Sequence, residues 1–282
     1  MSDLTISSPP TGRDNLIYRE TKWLALFIIP FLIAAFALLY FWPNHTDKTF
    51  AWTIRPTMTP MMLAAAYIGG VFYFAGVVRA QKWSHIKVGF LPVTAFASIL
   101  SIATILHWDR FNHQHISFFT WTSLYMTTPF LVIATWLRNR RRDPGTPDKA
   151  DALIANSWRW LMGAVGAITV VTSLLLLLQP AMMIDVWPWT LTPLTARVIS
   201  AMFALPGLVG LGIAWDARWS AAKLILQSQG FSIVFILIGV IRAWEEFDPD
   251  NIVTFLFAGG LLFLLVGIAI FYWRMESNRP NG

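Results

Sequence analysis

Apolar residues gather in eight long runs along this chain, at roughly 22–42, 58–80, 86–107, 117–138, 159–179, 195–215, 221–244 and 252–274. A helix rising 1.5 Å per residue needs ~20 mostly apolar residues to cross the hydrocarbon core of a bilayer, and each run meets that length. The predicted elements are therefore eight transmembrane helices. Basic residues fall in alternate connections. Arg13, Arg19 and Lys22 precede the first run, and Arg79, Lys82 and Lys87 lie between the second and third. Arg138, Arg140, Arg141 and Arg142 follow the fourth, Arg218 and Lys223 the sixth, and Arg274 the last. The intervening connections are poor in lysine and arginine, and the charged residues of 245–250 are all acidic. Lysine and arginine are retained on the cytoplasmic side, so the pattern predicts that both termini are cytoplasmic in the cell (inner or plasma) membrane. Residues 1–20 are polar, carry Pro9-Pro10 and lack the short apolar core and small-residue cleavage site of a secretory signal. The first run then reads as an uncleaved signal-anchor helix.

The second half of the pattern repeats the first. Lys22-Trp23-Leu24 returns as Arg159-Trp160-Leu161, Pro43 as Pro180, Trp52-Thr53-Ile54 as Trp189-Thr190-Leu191 and Pro56 as Pro193, at one offset of 137 residues. After a slip of one, Trp83-Ser84 returns as Trp219-Ser220, Lys87 as Lys223, Trp108 as Trp244, Phe111 as Phe247, Phe119 as Phe255 and Arg138 as Arg274. Four spans per half is an even number, so both halves insert with one orientation, related by a pseudo-two-fold axis along the membrane normal. The expected fold class is an all-α integral membrane protein built as two tandem, parallel four-helix repeats. Its parts are a cytoplasmic tail at 1–21, a first repeat at 22–138, a cytoplasmic linker at 139–158, a second repeat at 159–275 and a tail at 276–282. Proline, glycine and mixed charge in the linker suit a solvated connection.

Composition agrees with the spans and removes several chemistries. The chain is 56% hydrophobic and 13% charged, against ~25% charged in soluble domains. Its net charge of +6 follows from the retained basic loops, and no soluble basic face exists for nucleic acid. The absence of cysteine excludes disulfides, iron–sulfur clusters, c-type haem attachment and thiol catalysis. Phosphate-binding loops, Gly-x-Ser-x-Gly elbows and His-Glu-x-x-His helices are absent from the sequence, and the polar segments are too short for a catalytic domain. No cofactor is expected, and the chain leans away from being an enzyme. The expected partners are the lipid bilayer and either membrane proteins or further copies of the chain.

Candidate chemistry is sparse. Gly69-Gly70 in the second run and Leu205-Pro206-Gly207 in the sixth occupy matching mid-span places. Matched breaks of this kind point to a transporter site, and the competing reading is close helix packing through small residues. Arg197 and Arg242 are intramembrane charges whose counterparts are Met61 and Leu106. Arg242 is expected to pair with Glu245 or Glu246, or else to clamp an anion or headgroup at the outer mouth. Gln227 and Gln229 replace Leu91 and Val93 and suit either a polar ligand or bonds between helices. His107, Asp109, His113 and His115 contain metal-ligand types on the outer side but follow no established ligand spacing. The tryptophans near the run ends, Trp83 and Trp219 among them, are expected to form an interfacial belt, and Thr57, Thr59 and Thr195 to begin the second and sixth helices.

Three functions follow. The first is a carrier or binding protein for a neutral, lipid-like or amphipathic small molecule, with its site on the two-fold axis. The second is an accessory or scaffolding subunit of a membrane complex. The third is a membrane metalloenzyme using the outer histidines. An axial polar cavity favours the first, a tightly packed bundle with an apolar flank the second, and convergence of the histidines the third.

Overall fold

The computed structural model describes residues 13–148 and 151–278. Among these, ten α-helices run in chain order: α1 (Arg19–Phe41), α2 (Thr46–Thr49), α3 (Met58–Arg79), α4 (Phe90–Leu106), α5 (Ile116–Asn139), α6 (Asn156–Leu178), α7 (Pro180–Ile184), α8 (Pro193–Trp215), α9 (Trp219–Arg242) and α10 (Ile252–Ser277). All but the short α2 and α7 are long and apolar enough to span a membrane, and they fall on the eight apolar runs. The chain is thus a multi-pass helical membrane protein. The segment 13–18 and the last turn of α10 lie at one end of the bundle, where Asn15 bonds Ser84 and Glu276 accepts from Trp219 and Lys223. This is called the terminal end below; α2, α7 and the loops 107–115 and 243–251 make the far end.

Four helices form the centre. α3 packs against α9 and α4 against α8, while α1 lies on α3, α6 on α8, α5 on α4 and α10 on α9. Burial follows that order: about half of the apolar window of α3, α4 and α8 is buried, but only 6% of that of α10. Local chemistry starts several helices cleanly. Thr192, ahead of Pro193, and Thr195, in the first turn of α8, form a reciprocal capping box. Thr195 therefore completes the cap that Thr192 begins. His115 and Asn251 accept amide bonds at the starts of α5 and α10.

Residues separated by 136 or 137 positions make the same backbone contacts. The amide of Trp83 donates to Asn15 O at 2.8 Å, and that of Trp219 to Ala152 O at 2.9 Å. Asn112 N donates to Ala51 O at 2.8 Å, and Asp248 N to Pro188 O at 2.9 Å. Leu16 bridges Lys82 antiparallel, and Leu153 bridges Arg218 in the same way. These short extended pieces, placed ahead of α1 and α6, cross the terminal end and cover it.

That cover corrects two expectations. Trp83 and Trp219 do not join an interfacial belt: both are completely buried, packed on Phe90 and on Phe271. Trp23, Trp160, Trp215 and Trp273 remain exposed, as belt residues are. The connection after α5 is not simply solvated either. Asn139 and Asp143 are buried, because Asn139 bonds Thr21 and the Tyr18 amide while Asp143 receives an arginine and a lysine. At the far end the segments 50–54 and 187–191 turn inward, while most of the loops 107–115 and 243–251 stays exposed. Trp52 packs on Phe111 and Trp121, and Trp189 on Phe247 and Phe257, so each half closes its far end with an aromatic cluster.

Candidate functional site

The mid-span glycines are places of close helix contact. A Cβ built on Gly69 would sit 1.8 Å from Ser232 Oγ on α9, and Gly69 O accepts from Ser228 Oγ at 2.8 Å. Gly70 faces Leu32 of α1. On α8 the neighbour is α6: a Cβ on Gly207 would lie 2.7 Å from Val170 Cγ2, one on Gly210 2.6 Å from Met162 O, and one on Gly166 2.7 Å from Gly207 O. Backbone approaches this near are what small residues permit within a membrane. Both helices run unbroken through these positions, and Pro206 is exposed on the outer face of α8. Gly69, Gly70, Pro206 and Gly207 are therefore not brought together: two face α9 and α1, one faces α6 and one faces outward.

The inner glutamines divide. Gln227 Nε2 donates to Tyr272 OH at 2.8 Å and so ties α9 to α10. Gln229 Nε2 is buried with no partner among the described residues.

Arg242 forms no ion pair or hydrogen bond with Glu245 or Glu246. It donates to Tyr40 O at 2.9 Å and lies over the Tyr40 ring, because α9 ends at Arg242 and the chain turns away before the glutamates. Glu246 has a different task. Its Oε1 accepts from the amide and hydroxyl of Thr57 at 2.8 and 2.6 Å, and Oε2 from the Met58 amide at 2.7 Å. A carboxylate from the second half thus closes the first turn of α3, where unpaired amides and the helix dipole favour negative charge. Thr57 itself offers no side-chain cap.

Around α8 the equivalent ground is arranged otherwise. Arg110 lies 136 residues before Glu246, and α8 caps itself through Thr192. A cleft of about 460 Å³ remains there, lined by Trp52, Thr53, His107, Arg110, Thr192, Pro193 and Leu194. Arg197 reaches its edge: Nη1 donates to His107 Nε2 at 2.7 Å, and Nε to Leu177 O in the last turn of α6 at 3.2 Å. Arginine has donors only, so His107 accepts at Nε2 and, when neutral, carries its proton on Nδ1. Burial, reinforced by the Arg197 charge, holds the His107 pKa below the ordinary histidine value. A second far-end cleft, of about 330 Å³, is lined by Ile184, Trp187, Trp189, Thr190, Leu191, Glu246, Phe247 and Asp248.

The histidines do not converge. His107 is held by Arg197, His113 Nε2 lies 2.9 Å from Trp108 O, and His115 Nδ1 contacts Ser117 Oγ at 2.6 Å. Asp109 pairs with Arg110 at 3.2 Å in the open. Among the described residues no three histidine, aspartate or glutamate side chains stand close enough to share a metal ion.

The terminal end holds an ionic cluster that the sequence did not single out. Arg218, itself buried, meets Asp143 through two bonds of 2.8 Å and Asp216 at 2.7 Å, and Lys87 Nζ is 2.5 Å from a carboxylate oxygen of each aspartate. Burial alone would raise the two carboxyl pKa values; the bonds from Arg218 and then Lys87 outweigh it and hold both below the usual carboxylate range. The cluster joins the connection after α5, the start of α4 and the loop before α9.

No protein-family model, curated protein or solved structure matches the chain.

Proposed function

We propose that this protein works by binding and not by transport or catalysis: it is an accessory subunit that docks a transmembrane helix of a partner membrane protein along α10. Two tandem, parallel four-span halves make the rigid body, with both termini cytoplasmic and the far end facing outward. Support for the halves comes from the recurring contacts at offsets of 136 and 137, and from the α3–α9 and α4–α8 pairs, which exchange under that offset. Support for the orientation comes from the basic residues gathered at the terminal end.

The observation that carries the docking reading is a contrast among glycines. Those of α3, α6 and α8 are taken up by neighbours inside the molecule, whereas a Cβ on Gly259, Gly260 or Gly267 of α10 meets nothing within 4 Å. Gly260 and Gly267 are seven residues apart and share one face of the helix. The corresponding positions of α5 are Ser123, Leu124 and Leu131, so the second half alone sets two glycines a heptad apart on this face, flanked by the exposed side chains of Leu256 and Phe263. Glycine in a lipid-facing helix lacks the side-chain surface that leucine would present, and it serves where another backbone approaches closely. The tightly closed contacts at Gly69 and Gly207 count against a carrier with a site on the axis.

The test is the native mass spectrum of the full chain extracted gently from its own membrane. A stoichiometric second protein is the expected result. A monomer carrying lipid alone would contradict the reading, and a homo-oligomer would replace the partner with a second copy.

A further inference from the structure

Where α1 starts and α5 ends, the chain gathers positive charge on helices other than the docking helix α10. Residues 13–22 and 138–142 hold seven basic side chains against two acidic ones, Asp14 and Glu20. The stretches 137 and 136 residues further on, 150–159 and 274–278, hold two of each. The rule that keeps basic loops on one side of a membrane applies to both pairs of stretches, and it does not account for a surplus in one. The fold brings the first pair together: Asn139 donates to Thr21 Oγ1 at 2.8 Å and accepts from the Tyr18 amide at 3.2 Å, and Arg142 O accepts from Asn15 N at 3.1 Å.

Few of these cations are spent inside the molecule. Arg19, Lys22, Arg140 and Arg141 have no carboxylate within ion-pair distance among the described residues. Arg142 and Arg138 lie over the Tyr18 ring at 3.7 and 4.4 Å, and Arg140 lies over Trp136 at 5.0 Å. Their carboxylate contacts, Arg138 with Glu20 at 3.5 Å and Arg142 with Asp14 at 3.3 Å, are long and partly exposed. A guanidinium stacked on a ring keeps the N–H groups along its edge available for two-pronged bonding to an oxyanion. In the other corner the charges are consumed. Arg159 donates twice to Ala214 O, at 3.0 and 2.6 Å, and Glu276 accepts from Trp219 and Lys223. Arg140 stands 136 residues before Glu276, and the buried indole N–H of Trp83, 136 residues before Trp219, has no acceptor. Where the second corner has an internal acceptor, the first has an exposed cation.

Bilayer-facing surface adjoins these cations. Trp23, one turn into α1, is 64% exposed, and Trp136 lies one turn from the end of α5, the depth at which indoles meet lipid headgroups. Phe27 and Leu137 continue the exposed apolar surface on the two helices. We propose that the corner formed by α1 and α5 binds an anionic phospholipid. Its phosphate sits on Arg140 and Arg141 with Arg138 and Arg142 beside it, and its acyl chains run along α1 and α5. Basic clusters at the end of a membrane helix attract lipids of net negative charge, whereas the ammonium of a zwitterionic headgroup is repelled by the same surplus.

The experiment takes native mass spectra of the detergent-purified full chain incubated with equal amounts of phosphatidylglycerol and phosphatidylcholine of identical acyl chains. The phosphatidylglycerol adduct should exceed the other by about tenfold or more. Arg140→Gln with Arg141→Gln, each worth roughly fivefold, should bring the two adducts near parity. Both positions are exposed, so this variant should keep the wild-type unfolding midpoint in phosphatidylcholine micelles. Arg274→Gln, an exposed arginine of the other corner, should leave the preference as it is. A photoreactive phosphatidylglycerol gives an independent reading on the wild-type chain, with adducts expected on peptides 13–27 and 130–142. Equal adducts in the wild type overturn the proposal, as does a preference that survives the double substitution or is lost in Arg274→Gln. Photoadducts confined to other helices also overturn it. Loss of the preference in sodium phosphate, but not in sodium chloride of equal ionic strength, would make the seat one for free phosphate and overturn the lipid.

Discussion

Arg218 and Asp143 form a two-pronged ion pair, Nη1 to Oδ1 and Nη2 to Oδ2, both at 2.8 Å, across 75 residues of sequence. It lies in the shelter of the extended pieces that cover the terminal end. Breaking a buried pair from one side leaves the other charge uncompensated, at a cost of about 3–5 kcal/mol. Arg218→Met should therefore lower the unfolding midpoint sharply, and Arg218→Met with Asp143→Leu should recover much of the loss. A double-mutant cycle on the purified protein measures this; independent, additive effects would contradict the pairing.

The same cluster sets an acid dependence. Asp143 and Asp216 have folded-state pKa values below the ordinary 3.8, so the unfolded chain takes up protons first as the pH falls. Their contribution is complete above that ordinary value and is lost progressively below it. Stability from these groups should be level between about pH 8 and 5 and decline below about pH 4. Arg218→Met should flatten the decline, as read from unfolding midpoints across that range.

Glu246 caps a helix in the other half of the molecule, 188 residues from Met58. Removing such a cap costs ~0.5–2 kcal/mol. Glu246→Ala should destabilise by that amount and raise hydrogen exchange at the amides of Thr57 and Met58 in particular. Exchange unchanged at those two amides would show that the carboxylate is not their acceptor.

Glycines separate internal packing from the outer face. Gly166→Val drives a side chain into the α8 backbone, where Gly207 O is the nearest atom to an added Cβ, and overpacking of this kind costs about 1–3 kcal/mol or more. Gly260→Val meets nothing within the molecule and should leave stability within about 0.5 kcal/mol. Equal destabilisation by the two would contradict the packing described for α6 and α8.

The spans were legible because each is a run of apolar residues long enough to cross a bilayer, and no tertiary contact is needed to see that. The fate of Trp83 and Trp219 was not. A tryptophan at a helix end reads as interfacial until the piece that covers it is located, and Asn15 and Ala152 lie more than sixty residues upstream. Glu246 was misread for a related reason: Arg242 is close in sequence, but α9 ends between them and the better partners are amides in the other half. Gly69 and Gly207 stayed ambiguous because glycine serves both a broken helix and a close contact, and only the neighbouring backbone separates the two. The far-end cleft was half visible. Arg197 and His107 stood out as residues, but their 2.7 Å bond joins α8 to the end of α4 across 90 residues of sequence.

Docking along α10 is tested most directly by a photoreactive amino acid placed at Gly260 and, for comparison, at Phe130 of α5, which is 72% exposed on another outward face. Irradiation in the native membrane should join position 260 to one protein of defined mass and position 130 to lipid. Lipid adducts alone at both positions would contradict the account.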